Sequence, residues 1–344
     1  MNKKLTIILP LYNRKEFSYR FLDYLNLRNS NYSIVLADAK DDGFSSHLID
    51  RYKKLDLKKI TFKQSKKFID YYKMILLALE SVDTEYVILA DNDDFLIDCS
   101  ITQLINFLDN NDEFCSAGAK ILQFQLDNYM NNTYGKSIYF SERYVYSRSV
   151  EPSLDINKDL ENIFMHFQPN FYNIFRSEIL TKIWTEICDL NFTDLTITEF
   201  YIMLRTLTLG KQKTFLNMSH YIRQAGTGES EKYDFFDSLL IHNLPSDLRK
   251  LAHRISDYLE RDIENIIFRF YKAHLKNFLW PRIKSEKAYF INSLQKIIQI
   301  LPPFLHLKFI IKEYLLFRSF KSSSNLLEPS SIREIKSIRY FLKK

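Results

Sequence analysis

An α/β fold, with a mostly parallel central sheet flanked by helices and a helical C-terminal region, is predicted by three features of the sequence. Short, nearly continuous apolar runs rich in β-branched residues recur at Leu5–Leu9, Ser33–Ala37 and Tyr86–Ala90, as expected of strands buried on both faces. Stretches with helical apolar spacing lie between these runs. The resulting strand–helix alternation is that of a parallel open sheet built from βαβ units.

Taken in order, the first strand ends near Pro10 and leaves through a polar turn. In Arg14–Arg28, Phe17, Phe21, Tyr24 and Leu25 fall at i, i+4, i+7 and i+8, one face of a helix. After the second strand come a weaker helix over Ser45–Lys54 and a more alternating strand at Lys59–Lys63. Lys66–Val82 carries Phe68, Tyr71, Tyr72, Ile75, Leu76 and Leu79 as another apolar stripe; these aromatics read as core rather than cofactor contacts. The fourth strand precedes a helix over Ile101–Asn111, with Ser100 as its expected N-cap. Phe114–Phe140 is strand-like, Ser141–Asp159 is a polar and aromatic loop, and Ile174–Ile187 and Ile197–Leu209 have helical patterns. Gly226–Glu231 has the turn residues of a mobile loop. Asp247–Phe270 is a strong helix pattern, followed by an aromatic, basic helical tail; no internal repeat is present.

The chain of 344 residues exceeds the usual size of one domain, which predicts a main domain over 1–244 and an appended region over 245–344. Charge divides at the same place. Residues 245–344 hold 20 Lys and Arg against 9 Asp and Glu, while residues 1–244 are net acidic. Two regions with different partners are implied. A run such as Phe309–Arg318 suits a membrane interface, where each basic residue near anionic lipid contributes about 1 kcal/mol; a packed helical cap or a homodimer contact is the alternative. No recognised nucleic-acid-binding motif accompanies the charge, which argues against that class of partner. Cys99, Cys115 and Cys188 form no CxxC pair, so they read as reduced thiols in a cytoplasmic protein rather than a zinc site or disulfide framework. The N-terminus reads as a first strand rather than a targeting segment. No apolar stretch approaches the roughly 18 residues that cross a bilayer. A cytoplasmic protein, at the inner face of the cell membrane if the basic region binds lipid, is expected.

In sheets of this kind ligands bind beyond the carboxyl ends of the strands, which directs attention to the segments after Leu9, Ala37 and Ala90. The most informative is Asp91-Asn92-Asp93-Asp94. Three carboxylates in four residues repel one another, and a cation is what neutralises such a cluster. Mg²⁺ or Mn²⁺, held by one or two carboxylates and completed by substrate phosphates, is the natural partner. A solvated acidic turn or a helix cap is the alternative. An EF-hand is excluded, because neither the Gly nor the closing Glu of a 12-residue loop is present.

The segment leaving the first strand, Ile7-Ile8-Leu9-Pro10-Leu11-Tyr12-Asn13-Arg14, resembles the opening of inverting family 2 glycosyltransferases. The resemblance extends to Val35-Leu36-Ala37-Asp38 and to the DxD at Asp91–Asp94. It covers roughly residues 1–125, and more loosely runs to about Ser230. It implies a GT-A fold, a nucleoside-diphosphate sugar donor, Mn²⁺ or Mg²⁺, and a glycan or lipid-linked saccharide acceptor in bacterial surface polysaccharide synthesis. It also implies nucleotide-sugar contacts from Pro10, Tyr12, Arg14, Asp38, Asp91 and Asn92, and metal ligation by Asp91 and Asp93. For Asp38, capping of the turn that follows is the alternative. Where the family usually has a Ser-containing turn after this Asp, the chain has Ala39-Lys40-Asp41-Asp42, which leaves base preference open.

The catalytic base of such enzymes lies in a Glu-Asp pair before a helix; the nearest match is Glu199 in Leu195–Phe200, with Asp194 as the competing candidate. Partial burial at the start of an apolar helix is expected to raise the pKa of Glu199 toward the working range. Arg223 is placed as a donor to the diphosphate, and His220 as a further metal ligand or else a structural residue. Gly226–Glu231 is expected to close over the donor. Two rivals stand beside this reading. A sugar-phosphate nucleotidyltransferase would need a Gly-rich phosphate loop after the first strand, which is missing. The other is a non-catalytic binding partner that kept the fold.

Overall fold

The computed structural model describes residues 3–11, 14–40, 42–62, 68–126, 133–135, 137–143, 158, 160, 170–224, 244–274 and 327–343. Its first half is the expected βαβ series: β1 (Leu5–Leu11), α1 (Lys15–Leu27), β2 (Ser33–Asp38), α2 (Phe44–Arg51), β3 (Asp56–Thr61), α3 (Phe68–Glu80) and β4 (Tyr86–Leu89). These strands lie parallel in the order β3-β2-β1-β4. β1 and β4 are buried along almost their whole length, which is why they read as continuous apolar runs. β3 is an edge strand with no fully buried residue and begins three residues before the expected Lys59.

Beyond β4 the sheet becomes mixed. β5 (Phe95–Leu96), α4 (Asp98–Asp109), β6 (Phe114–Leu126), β7 (Ser137–Arg143), β8 (Ile174–Arg176), α5 (Ser177–Leu190), α6 (Leu195–Leu209) and β9 (Lys211–Gln224) follow. The order continues β4-β8-β6-β9-β5, with β7 on β6. β8 is antiparallel to both β4 and β6 and joins the two halves. The helix expected from Ile174 therefore starts only at Ser177: Ile174 and Phe175 pair with strands on either side, and the apolar spacing alone does not distinguish this from a first helical turn.

The strong helix pattern expected over Asp247–Phe270 is two helices, α7 (Leu244–Tyr258) and α8 (Glu264–His274). They are separated by Glu260 at φ 50°. The amides of Glu260 and Arg261 reach back to the carbonyls of Asp257 and Ser256, a Schellman ending built on a left-handed residue. Leu251 and Ile255 on α7, Ile263 just before α8 and Ile267 on α8 are fully buried in the common core.

The last described helix, α9 (Pro329–Phe341), starts with Pro at its first turn and packs on α4, with Phe341 against Tyr24 and Phe95. Its Glu334, only 4% exposed, accepts the amides of Asp98 and Cys99 at 2.9 and 3.2 Å. Thus α4 is capped by a side chain from the far end of the chain. Ser100, the expected cap, lies inside the first turn with its hydroxyl 3.1 Å from that of Ser331. Asp247 of α7 braces the turn just before α6, accepting the amides of Thr193 and Asp194 at 2.6 and 3.0 Å.

Among the described residues no helix is long and apolar enough to cross a membrane, and the three cysteines are free. Most of the expected loop at 141–159, the Gly226–Glu231 loop and the Phe309–Arg318 run lie outside the described residues.

Candidate functional site

The ends of β1 and β4 meet at the Asp91–Asp94 turn. The amide of Asp91 donates to the Tyr221 hydroxyl at 2.9 Å, and its Oδ2 accepts from the Tyr172 hydroxyl at 2.6 Å. Asp93 Oδ2 accepts from Arg14 Nη1 at 2.8 Å. Asp94 Oδ1 accepts the Gln224 amide at 2.9 Å, and Arg223 Nε lies 3.8 Å from Asp94 Oδ2. One oxygen from each of the three carboxylates falls within 4.8 Å of the others. Burial first, and then the Asp93 charge, push the Asp91 carboxyl above the ordinary range and Asp94 well above it, while Arg223 pulls both down. Three hard oxygen donors grouped this closely suit Mg²⁺ or Mn²⁺.

The flanking arginines are fixed by different means. Arg14 sits at φ 53°, in the left-handed region, directly before α1, and this orientation carries its guanidinium from the end of β1 to Asp93. Arg223 rides on β9, its guanidinium 5.1 Å from the centroid of the Tyr172 ring. Tyr172 is in turn stacked on Tyr221 at 4.3 Å.

Glu199, partly exposed on α6, has its carboxyl pushed up to about 7. Burial is the main cause, Arg223 opposes it, and Asp91 and Asp194 add to it. Glu199 thus senses the charges of the Asp91 turn across the site. Asp194 is held differently: it is the N-cap of α6, accepting the Ile197 amide at 3.0 Å, and is 3% exposed. A buried carboxylate engaged as a cap is a poor proton acceptor for an external hydroxyl.

Two further candidates are engaged within the protein itself. His220 is fully buried; its Nδ1 accepts the Ala119 amide at 3.0 Å, and its Nε2 donates to the Tyr172 carbonyl at 2.8 Å. Both ring nitrogens serve the backbone, and burial lowers its pKa to about 4; it belongs to the sheet and not to the carboxylate group. Asn92 is turned inward, its amide donating to Ser18 Oγ at 3.1 Å, so it fastens the turn to α1.

Asp38 is buried at the end of β2, where its two oxygens accept the Lys40 amide at 2.9 Å and the Ser45 hydroxyl at 2.6 Å. This arrangement shapes the entry to α2, and a carboxylate retains further acceptor capacity. Pro10 lies in β1 opposite Ala37. Tyr12 lies outside the described residues.

Sequence reasoning missed Tyr172, Tyr221, Gln224 and Arg20. For Arg20 a signal existed. It lies three residues after Phe17 and four before Tyr24, on the apolar face of α1.

A family model described as glycosyl transferase family 2 matches residues 6–184, more than half of the chain. The chain belongs to this family. It is a glycosyltransferase with a GT-A fold, in which Pro10, Arg14, Asp38 and Asp91–Asp94 fall inside the matched region while Glu199, His220 and Arg223 lie beyond it. No curated protein sequence matches the chain significantly. Among solved structures, this family 2 transferase is similar to S. aureus TarS residues 1–349, with a TM-score of 0.54 and 16% identity over 93% of this chain and 91% of that one. It is similar also to the same protein in complex with UDP-GlcNAc, at 0.56 and 17% over 93% and 92%. Full-length TarS matches at 0.54 and 15%, over 94% of this chain and 55% of that one. At these identities the likeness is one of fold.

Proposed function

We propose that the chain is a metal-dependent, inverting glycosyltransferase that moves a sugar from a nucleoside-diphosphate donor to a glycan or lipid-linked saccharide in bacterial surface polysaccharide synthesis. The observation that carries this reading is the group of three carboxylates at the end of β4, set between Arg14 and Arg223. Asp91 and Asp93 are the ligands we assign to Mn²⁺ or Mg²⁺. A bound ion supplies neutralisation of charge on the departing diphosphate. The donor class is supported by TarS, which has been crystallised with UDP-GlcNAc and with UDP.

Arg223 offers paired donors to phosphate oxygens, and Arg14 orients the Asp93 carboxylate. Glu199 takes the proton of the acceptor hydroxyl as that oxygen attacks the anomeric carbon from the face opposite the diphosphate. Its raised pKa suits this task, since a base works best when its pKa lies near the operating pH. Asp38 and the chain around Pro10 and Tyr12 are assigned to the nucleoside side. The basic excess of residues 245–344 supports action at the cytoplasmic face of the cell membrane on a lipid-linked acceptor.

The test is calorimetric titration of UDP and GDP with and without Mn²⁺, on the wild type and on Asp93→Ala, with circular dichroism to establish folding. Metal-dependent binding that disappears in a folded Asp93→Ala protein is the expected result. Sugar transfer by Asp93→Ala at the wild-type rate would overturn the site assignment.

A further inference from the structure

We propose that Arg20 is a positioning residue that ties the main chain of the carboxylate turn to the end of β9 and holds the turn in its clustered form before any ligand arrives. The inference rests on reading Asp91–Asp94 as the metal and diphosphate site.

Arg20 is fully buried in the middle of α1. Its Nη2 donates to the carbonyl of Asp93, and its Nη1 donates to Gln224 Oε1 at 2.6 Å and to the Thr133 carbonyl at 2.8 Å. The guanidinium also lies over the rings of Phe17 and Phe95, at 4.9 and 4.8 Å from their centroids. Gln224 returns the connection, its amide donating to Asp94 Oδ1 at 2.9 Å. The circuit runs from Arg20 through the Asp93 carbonyl and along the main chain to Asp94, then by way of Gln224 back to Arg20.

Two properties make this more than packing. First, the site is an aromatic pocket where an apolar side chain of similar volume would avoid the cost of burying a cation, and such replacements are often neutral or stabilising. Burial does work against the charge, lowering the Arg20 pKa to about 10, while Asp93 and Asp94 oppose that. Second, Arg20 grips the turn by a backbone carbonyl and leaves the carboxylate oxygens facing one another. A cation close to Asp93 and Asp94 lowers their mutual repulsion without occupying their ligand positions. The planar fork of a guanidinium can reach Asp93 and Gln224 together. A single ammonium has no such pair of fixed directions.

Arg20→Lys keeps the charge and loses the two-ended grip, Arg20→Met loses both, and Gln224→Leu removes the far anchor while leaving its own amide on Asp94. The measurement is free Mn²⁺ counted by electron paramagnetic resonance in titrations with UDP, together with kcat and the Mn²⁺ dependence of KM where turnover is available. We expect Arg20→Lys and Gln224→Leu each to weaken Mn²⁺ binding by roughly 10-fold and Arg20→Met by more, in the range seen when groups supporting metal ligands are removed. Their double variant should be little worse than the weaker single one, because both cut the same circuit. Arg205→Lys serves as a control. Arg205 pairs with Glu186 at 2.8 Å away from the turn, so this variant should lower Tm and leave Mn²⁺ affinity unchanged.

Arg20 variants that lose Tm yet bind Mn²⁺ and UDP as the wild type does would overturn the positioning role, and so would fully additive effects of Arg20→Lys and Gln224→Leu. A wild-type protein with no Mn²⁺-dependent UDP binding would overturn the proposed function, and this inference with it.

Discussion

Replacing Glu334 by Gln tests how the far end of the chain holds α4. The carboxylate accepts two amides, at 2.9 Å from Asp98 and 3.2 Å from Cys99; the amide oxygen of Gln can accept one of them comfortably and turns an NH₂ group toward the other. Loss of one charge-assisted hydrogen bond at a buried position costs about 1.5–3 kcal/mol. The Arg28 contact at 3.4 Å involves a side chain 35% exposed and adds less than about 1 kcal/mol. Against this stands a gain. The Asp98 carboxyl is pushed from 3.8 up to about 6, by burial first and by the Glu334 charge second. At roughly 1.4 kcal/mol per unit the whole shift is worth about 3 kcal/mol, of which burial supplies a larger share than the Glu334 charge.

The sign of the pH dependence follows from that offset. Asp98 binds a proton more tightly in the folded state, so its favourable contribution is full below the unfolded value and is lost as pH rises through about 6. Removing the Glu334 charge relieves Asp98 only where Asp98 is ionised. Glu334→Gln should therefore cost about 2 kcal/mol near pH 5 and about 1 kcal/mol near pH 8, a fall in Tm of a few degrees that is larger in acid. Differential scanning calorimetry in matched buffers reads this directly. An unchanged Tm at both pH values, or a larger loss at pH 8, would refute the capping argument.

His220→Gln should destabilise the protein by roughly 2 kcal/mol at neutral pH through its two backbone partners and leave Mn²⁺ and UDP affinity unmoved; weakened metal affinity in calorimetry would restore His220 to the site. Because the folded-state pKa of His220 is depressed to about 4, the wild type should lose stability as pH falls from 6.5 toward 4, by up to roughly 3 kcal/mol. The Gln variant should lack that part of the acid profile in urea titrations. Glu199→Gln should reduce kcat by about 10²–10⁴-fold, as expected for a general base. In the wild type the ascending limb of kcat against pH should fall at or below about 7, since cation binding at Asp91 removes a charge that raises Glu199. A kcat profile with no ascending limb would remove Glu199 from that role.

The βαβ half of the fold was legible because its strands are buried on both faces, so that composition alone marks Leu5–Leu9 and Tyr86–Ala90. The mixed half was less so. Ile174 and Phe175 fit either a strand or a helix, and only pairing with β4 and β6 decides between them. The break at Glu260 was invisible because nothing in a Glu announces a left-handed residue. At the site, the local features carried: three carboxylates adjacent in sequence are adjacent in space. Orientation was not legible. Asn92 faces α1, and His220 faces the sheet, because strand and turn geometry direct alternate side chains away from the ligand side. Contacts such as Tyr172 with Asp91, 81 residues apart, have no trace in local sequence.

The contacts supplied by Asp247 and Glu334 bear on the order in which the molecule can be completed during synthesis. When residue 243 has emerged from the ribosome, every side chain of the carboxylate turn and Glu199 already exist. The acceptors for the Asp98 and Cys99 amides at the start of α4, and for the Thr193 and Asp194 amides just before α6, do not. Long-range closures of this kind are slow, and a nascent chain waiting for them exposes the apolar surfaces of Tyr24 and Phe95 that Phe341 later covers. The start of α4 is thus completed only once α9 has been translated.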